Sequence, residues 1–349
     1  MTVPVHIGAK GPFRFLIDSG AIHIGMAGPL LASLGLPVSG VDTIAGASGN
    51  LDTRIYHAGK IRVGDSLTFA DVGVRGLDIG DVAGPDSAVG ILPLHIFGRS
   101  AMDFVNRSLS VEDPSARPPR DMLLFPPRGS DGADPRPYAI ATLQEATIRV
   151  LLDTGYSGSL ILTSKYVRER NLANRYGQGR LETLTGTTGA VVASMMQVEV
   201  LGFAGHTFKD HWIELSDPAL NIPATPDYDG VIGVELLRRF DLWTDGQTGA
   251  VGLRPNVLID DGERYDRSGL DLAAAPAGEP GLIVTHVSAG SPADTAGLKV
   301  FDRISGFNGD GGLNDLRWAL SGPPGTVVAL RTSGSNGDVV VRVILADSG

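Results

Sequence analysis

Two stretches of this chain echo each other, and that repetition limits its fold more than any other feature. Phe15-Leu16-Ile17-Asp18-Ser19-Gly20-Ala21 returns as Val150-Leu151-Leu152-Asp153-Thr154-Gly155-Tyr156. Each copy is an apolar run that ends in Asp, a small hydroxyl residue and Gly. Such a run reads as a buried strand, and the Gly behind it permits a tight turn. A carboxylate at the end of a buried strand is costly unless something pairs with it or uses it. Two of them, delivered by two similar stretches, point to one shared site.

The surroundings of the two copies repeat as well. In the first, Val3–Ile7 and Phe13–Ile17 read as a hairpin and Pro29–Leu34 as a short helix stopped by Gly35. Ile44–Gly49 reads as a Gly-rich hairpin tip, and Lys60–Val63, Leu67–Phe69 and Val72–Val74 as sheet strands. Ala88-Val89-Gly90-Ile91-Leu92 precedes a short helical pattern, and Met102–Val105 with Leu109–Val111 close the unit. In the second, Ile161–Arg170 reads as a helix and Leu184–Gly189 parallels the first tip. Val198–Leu201, Thr207–Phe208 and Trp212–Leu215 repeat the strands, and Gly230-Val231-Ile232-Gly233-Val234 precedes another helix. Landmarks that recur in one order mark an internal duplication. The spacing from each Asp to its later Gly differs by a few residues, which surface loops absorb.

Composition narrows the function. At 349 residues there is room for two or three domains, and 47 Gly with 22 Pro favour short strands and turns over long helices. A formal charge of -10 without a dense basic cluster argues against nucleic acid as a partner. There is no cysteine, hence no disulfide or thiolate chemistry. No apolar run is long enough to span a bilayer, and no signal peptide is visible. Because Val3–Ile7 already reads as a strand, two locations stay open: periplasm or cell envelope if a leader was removed, otherwise cytoplasm. His206 and His211 are wrongly spaced for a helical zinc pair, and no Gly-x-Ser-x-Gly elbow or phosphate loop appears. No metal and no cofactor is expected.

Two carboxylates within hydrogen-bond reach cannot both ionise readily, so they hold one proton between them. The ionised member can take a proton from water while the other polarises a carbonyl. Ser19 and Thr154 supply hydroxyls to tie the loops together, and Gly20 and Gly155 let backbone N–H groups approach the acids.

On these residues the chain resembles the aspartic proteases, in particular the retropepsin-like fold of bacterial proteins. Asp18-Ser19-Gly20-Ala21 and Asp153-Thr154-Gly155 carry the resemblance, with Ala88-Val89-Gly90 and Val231-Ile232-Gly233 as the family's second signature. The resemblance implies catalytic roles for Asp18 and Asp153. It also implies flaps near Ile44–Tyr56 and Leu184–Met195, whose tips are Gly46, Ala47, Ser48 and Gly49, and Gly186, Thr187, Thr188 and Gly189. Tyr156 departs from the small residue usual after the triplet: it either reshapes the pocket or marks a lapsed half. His23, near the first site, reads as a loop histidine.

The last segment resembles a bacterial-type PDZ domain. Gly281–Val287 reads as a strand, Ser291–Leu298 as a capped short helix, Asp302–Gly309 as strand and turn, and Leu313–Leu320 as a helix. Val327–Arg331 and Val339–Leu345 form a closing hairpin. By resemblance, Gly269, Leu270, Asp271 and Leu272 would pair with the C-terminal peptide of a ligand, opposite Leu313–Leu320; the competing reading is a scaffold without ligand. Phe301 stands where that family usually has Gly.

The expected fold is mostly β: two similar retropepsin-like acid-protease lobes in one bilobal unit, then a small α+β PDZ domain. The boundaries are 1–113 and 138–254 for the lobes, 114–137 and 255–267 for linkers, and 268–346 for the PDZ segment. The expected function is aspartic endopeptidase action on extended protein or peptide substrates. The alternative is a catalytically lapsed peptide-binding adaptor. Whether the chain is a monomer or a dimer stays open.

Overall fold

The computed structural model describes residues 1–46, 49–77, 88–127, 134–172, 180–186, 189–217, 227–275, 281–308, 316–334 and 337–346. Ala47, Ser48, Thr187 and Thr188 of the expected hairpin tips lie outside the described residues. The chain is mostly β and divides into two compact units, the first ending at Glu263 and the second continuing from Arg264.

The first unit opens with β1 (Thr2–Ile7), β2 (Lys10–Asp18), β3 (Gly25–Ala27), β4 (Val38–Gly46), β5 (Gly49–Val63), β6 (Leu67–Leu77) and β7 (Gly90–Pro93). They form one sheet in the order β1-β2-β7-β3-β6-β5-β4, with β1 also pairing β5. The helix Gly28–Ser33, with Pro in its first turn, leads from β3 towards β4. After β8 (Arg99–Asp103), β9 (Ser108–Val111) and β10 (Leu123–Phe125), the pattern returns. The strands β11 (Tyr138–Leu143), β12 (Ala146–Leu152), β13 (Leu160–Leu162), β14 (Arg180–Gly186), β15 (Gly189–Phe203), β16 (His206–Ser216) and β17 (Gly230–Ile232) pair as β11-β12-β17-β13-β16-β15-β14. Strand for strand, this is the order of the first sheet. A third sheet, β10-β19-β18-β8-β9, adds β18 (Phe240–Asp245) and β19 (Ala250–Pro255) to strands from the first half and the connecting stretch. Across it the buried Ser100 and Thr244 hydroxyls meet at 3.1 Å, and Arg99 Nε donates to Asp245 at 3.0 Å.

The apolar runs behave as their composition requires. Phe15 and Ile17 of β2 and Ile148, Val150 and Leu152 of β12 are fully buried in a core that draws on both sheets. Each such side chain contributes roughly 1.5–3 kcal/mol relative to exposure. These buried runs fix where the two aspartates emerge.

Three readings need correction. The expected separate strands at 60–63, 67–69 and 72–74 are parts of two long ones, β5 and β6, because Gly59 and Asp71 take positive φ and bulge without breaking the ladder. The expected helix Ile161–Arg170 is strand β13 followed by the helix Ser164–Glu169. Thr163 caps that helix, its Oγ1 accepting from Tyr166 N at 3.3 Å. The pairing of the later glycines also shifts. Asp18 lies opposite Pro93 on β7 and Leu152 opposite Ile232 on β17, so Gly90 corresponds to Gly230 and Pro93 to Gly233.

The second unit is a five-stranded sheet of β20 (Leu270–Ala274), β21 (Leu282–Val287), β22 (Arg303–Phe307), β23 (Val327–Gly334) and β24 (Gly337–Ile344), in sequence order. Ser291 caps the short helix Pro292–Thr295 by accepting from Asp294 N at 3.2 Å. Within the expected helix Leu313–Leu320, Leu316–Leu320 is described and helical. Leu316 and Leu320 pack with Leu270, Val284, Ile304, Val328 and Val343 in this unit's own core. Gly269 stands before the edge strand β20, whose ladder partner is β21; Leu270 is buried, and Asp271 and Leu272 are half-buried.

Candidate active site

Asp18 is the last residue of β2, and Asp153 follows directly on β12. Both strands are held on one flank by a parallel neighbour, β7 or β17, and Asp153 N donates to Ile232 O at 2.8 Å. Past each aspartate the chain turns sharply and its N–H groups point back at the carboxylate. Gly20 N and Ala21 N donate to Asp18 Oδ1 at 2.8 and 2.9 Å, and Gly155 N donates to Asp153 Oδ1 at 2.8 Å.

The two turns grip each other through their hydroxyl residues. Ser19 N donates to Thr154 Oγ1 at 3.0 Å and Thr154 N to Ser19 Oγ at 2.9 Å. Each hydroxyl then donates to the opposite strand, Ser19 Oγ to Leu152 O at 2.7 Å and Thr154 Oγ1 to Ile17 O at 2.8 Å. All four bonds are buried, where a lost partner costs most. The glycines are required for close approach: a Cβ on Gly20 would stand 2.5 Å from Asp153 Cγ, and one on Gly155 2.6 Å from Asp18 Oδ2.

As a result each carboxyl packs against the glycine of the opposite turn, and the Asp18 carboxyl is coupled to that of Asp153. Asp18 is 7% exposed. Burial first, then the charge and hydrogen bond of Asp153, push its carboxyl well above the usual range, against the pull of the Ala21 and Gly20 N–H groups. A carboxyl so placed keeps its proton where an ordinary aspartate has lost it. Asp18 thus presents a proton donor beside a second carboxyl.

The structure thus brings Asp18, Ser19, Gly20, Asp153, Thr154 and Gly155 together. The hairpins β4–β5 and β14–β15 close through Gly46 opposite Gly49 and Gly186 opposite Gly189. At the base of the first, Arg75 Nε donates to Asp42 Oδ2 at 2.7 Å, which holds that carboxyl below the usual range. His23 lies 3.9 Å from the same carboxylate; burial and Arg75 lower its pKa. Gly269, Leu270, Asp271 and Leu272 belong to the second unit. Among the described residues no cluster of three or more His, Asp or Glu is arranged to hold a metal ion.

Tyr156 stood out in the sequence, but the partners of the residues around the site did not. The Tyr156 hydroxyl donates to Glu214, and a side chain at Gly233 or Gly158 would overlap Tyr156. The bulky residue after the second triplet thus has a seat made for it by two glycines. Burial, then His23, lower the pKa of His95, whose buried Nδ1 has no hydrogen-bond partner among the described residues. Ser159, in the Asp153 loop, contacts His211, which contacts Glu263. These partners lie far apart in the chain, so only the folded register reveals them.

Residues 3–92 match a family model described as aspartyl protease, a range that includes Asp18. No curated protein matches the chain. Among solved structures, the chain is similar to a retropepsin-like aspartic protease from Rickettsia conorii, with 20% identity, over 38% of this chain and 89% of that one, at a TM-score of 0.27. It is also similar to an aspartic proteinase from Irpex lacteus, with 14% identity, over 73% of this chain and 93% of that one, at a TM-score of 0.42.

Proposed function

We propose that this chain is an aspartic endopeptidase whose two acids come from its two repeated halves. The observation that carries this reading is the interlocked pair of turns that brings Asp18 and Asp153 together at the ends of two buried strands. The family match over residues 3–92 supports it.

In this reading Asp18 holds the shared proton and Asp153 is the base. Water attacks the peptide carbonyl carbon, giving a proton to Asp153, while the Asp18 proton passes to the carbonyl oxygen. The tetrahedral intermediate collapses when the C–N bond breaks and the nitrogen takes the proton held by Asp153; Asp18 regains its own from the gem-diol hydroxyl. The N–H groups of Gly20, Ala21 and Gly155 keep the carboxylates oriented throughout. The hairpins β4–β5 and β14–β15 act as flaps over an extended substrate. The second unit is read as a PDZ domain, with Gly269–Leu272 at the start of β20, the edge strand of the described sheet, suited to strand addition by a peptide terminus.

Asp153→Asn in the full chain tests this. Cleavage of an unstructured protein should fall by at least about a thousandfold, with the thermal midpoint retained. Undiminished cleavage would refute the assignment. A chain that binds the same polypeptide tightly without cutting it, before any substitution, would instead identify an adaptor.

A further inference from the structure

The loop that carries Asp153 is anchored by a buried polar chain that the proposed chemistry does not use. Ser159 Oγ and His211 Nε2 are 2.5 Å apart, and His211 Nδ1 contacts Glu263 Oε1. Ser159 is 8% exposed and His211 1%. With a carboxylate on Nδ1, the tautomer that satisfies both contacts carries its ring proton on Nδ1 and accepts at Nε2 from the Ser159 hydroxyl. Glu263 also accepts from Trp212 N at 3.1 Å through both oxygens. Residues 256–263 are held alongside: Asn256 N donates to Arg239 O at 2.9 Å, Arg238 Nη1 to Asp261 Oδ2 at 2.6 Å, and Arg238 Nη2 to Gly262 O at 3.2 Å.

The fold itself does not require this chain of contacts. By sheet register Ile161 lies opposite Glu214 and Val231, and Gly25 opposite Arg75 and Ile91, so the first half has His23 at the place of Ser159 and Val72 at the place of His211. The first half builds the same sheet with a valine in place of the imidazole. Burying a serine and an imidazole against a half-buried carboxylate costs more than burying aliphatic groups and is repaid in orientation, not stability. What is oriented is the Asp153 loop, since Ser159 O accepts from Gly233 N at 2.9 Å, Gly158 O from Glu235 N at 3.1 Å and Tyr156 O from Val234 N at 2.8 Å.

We propose that Ser159, His211 and Glu263 form a positioning relay that sets the Asp153 loop and ties it to residue 263, from which the chain continues into the second unit. The order of groups is that of a nucleophilic triad, but a serine and imidazole this buried serve geometry and not attack. The activity arm of the test rests on the peptidase reading; the spectroscopic arm does not.

In the full chain, Ser159→Ala and Glu263→Gln should each lower kcat on an unstructured polypeptide about tenfold, with KM within about twofold. The double variant should lose no more than the worse single, because the groups act as one unit. By NMR the His211 ring should show a strongly deshielded Nδ1–H that disappears in Glu263→Gln, and the Gly155 and Tyr156 amides should shift in both variants. Unmoved Gly155 and Tyr156 amides would overturn the relay, as would losses that multiply in the double variant. Labelling of Ser159 by a fluorophosphonate would overturn it in favour of a second nucleophile. A wild-type chain that cuts nothing yet shows the amide shifts would remove the peptidase reading and leave the relay standing.

Discussion

At the scale of single residues, the Asp18 carboxyl carries an electrostatic burden, buried against a second acid. Its folded-state pKa is raised, so between the ordinary aspartate value and that raised value the folded chain holds a proton the unfolded chain has lost. Stability therefore falls as pH climbs through that window. Asp18→Asn removes the burden, and its thermal midpoint should exceed that of the natural chain near about pH 7, with the gap closing towards about pH 4. A gap that widens on acidification would reverse the assignment of the proton to Asp18. Phe301 poses a different cost: it takes φ +74 and is 83% exposed, so its side chain gains little from burial while its backbone sits in the left-handed region. Phe301→Gly should relieve about 1–2 kcal/mol of strain, less about 0.5–1 kcal/mol of added unfolded-state freedom. Amide exchange in β21 and β22 should slow by a few-fold; unchanged exchange would show that the turn bears no strain.

At the scale of elements, the site is made by two loops exchanging hydrogen bonds through Ser19 and Thr154. Removing either hydroxyl leaves a buried N–H and a buried C=O unpaired, costing about 2–4 kcal/mol. Urea unfolding should show that loss for Ser19→Ala and for Thr154→Ala, and a double variant less damaged than the sum, because the first loss already loosens both loops. Ser19→Thr, which keeps the hydroxyl, should keep both stability and cleavage; strict additivity in the double variant would show that the loops are fixed by something else. These loops were legible in the sequence because an apolar run ending in Asp-Ser/Thr-Gly has few ways to fold. The helix expected over Ile161–Arg170 was not, since Leu160-Ile161-Leu162 suits strand or helix equally and only its place between β16 and β17 decides. The register of β7 escaped for a related reason: Gly90 resembles Gly233 in its neighbours, but Pro93 is the residue opposite Asp18. Proline there has no N–H, so the bond that Gly233 N makes to Ser159 O has no counterpart in the first half.

At the scale of the whole molecule, a duplicated half yields a site that neither half contains. Duplication was visible as repeated landmarks, and the same strand order recurs in both seven-stranded sheets. Tyr156 stood out as a difference between the halves, but the partners that distinguish them did not: Arg75 with Asp42 in the first, Tyr156 with Glu214 and Ser159 with His211 in the second. Such partners are dozens of residues apart and carry no local pattern. The central claim is that the acid pair works with one proton and splits peptide bonds. Its most direct test is kcat/KM on an unstructured polypeptide from about pH 3 to about pH 9, for the full chain and for Asp18→Asn and Asp153→Asn. The predicted result is a bell whose two limbs both vanish in each variant. A rate that keeps rising with pH, or a bell that survives either substitution, would contradict it.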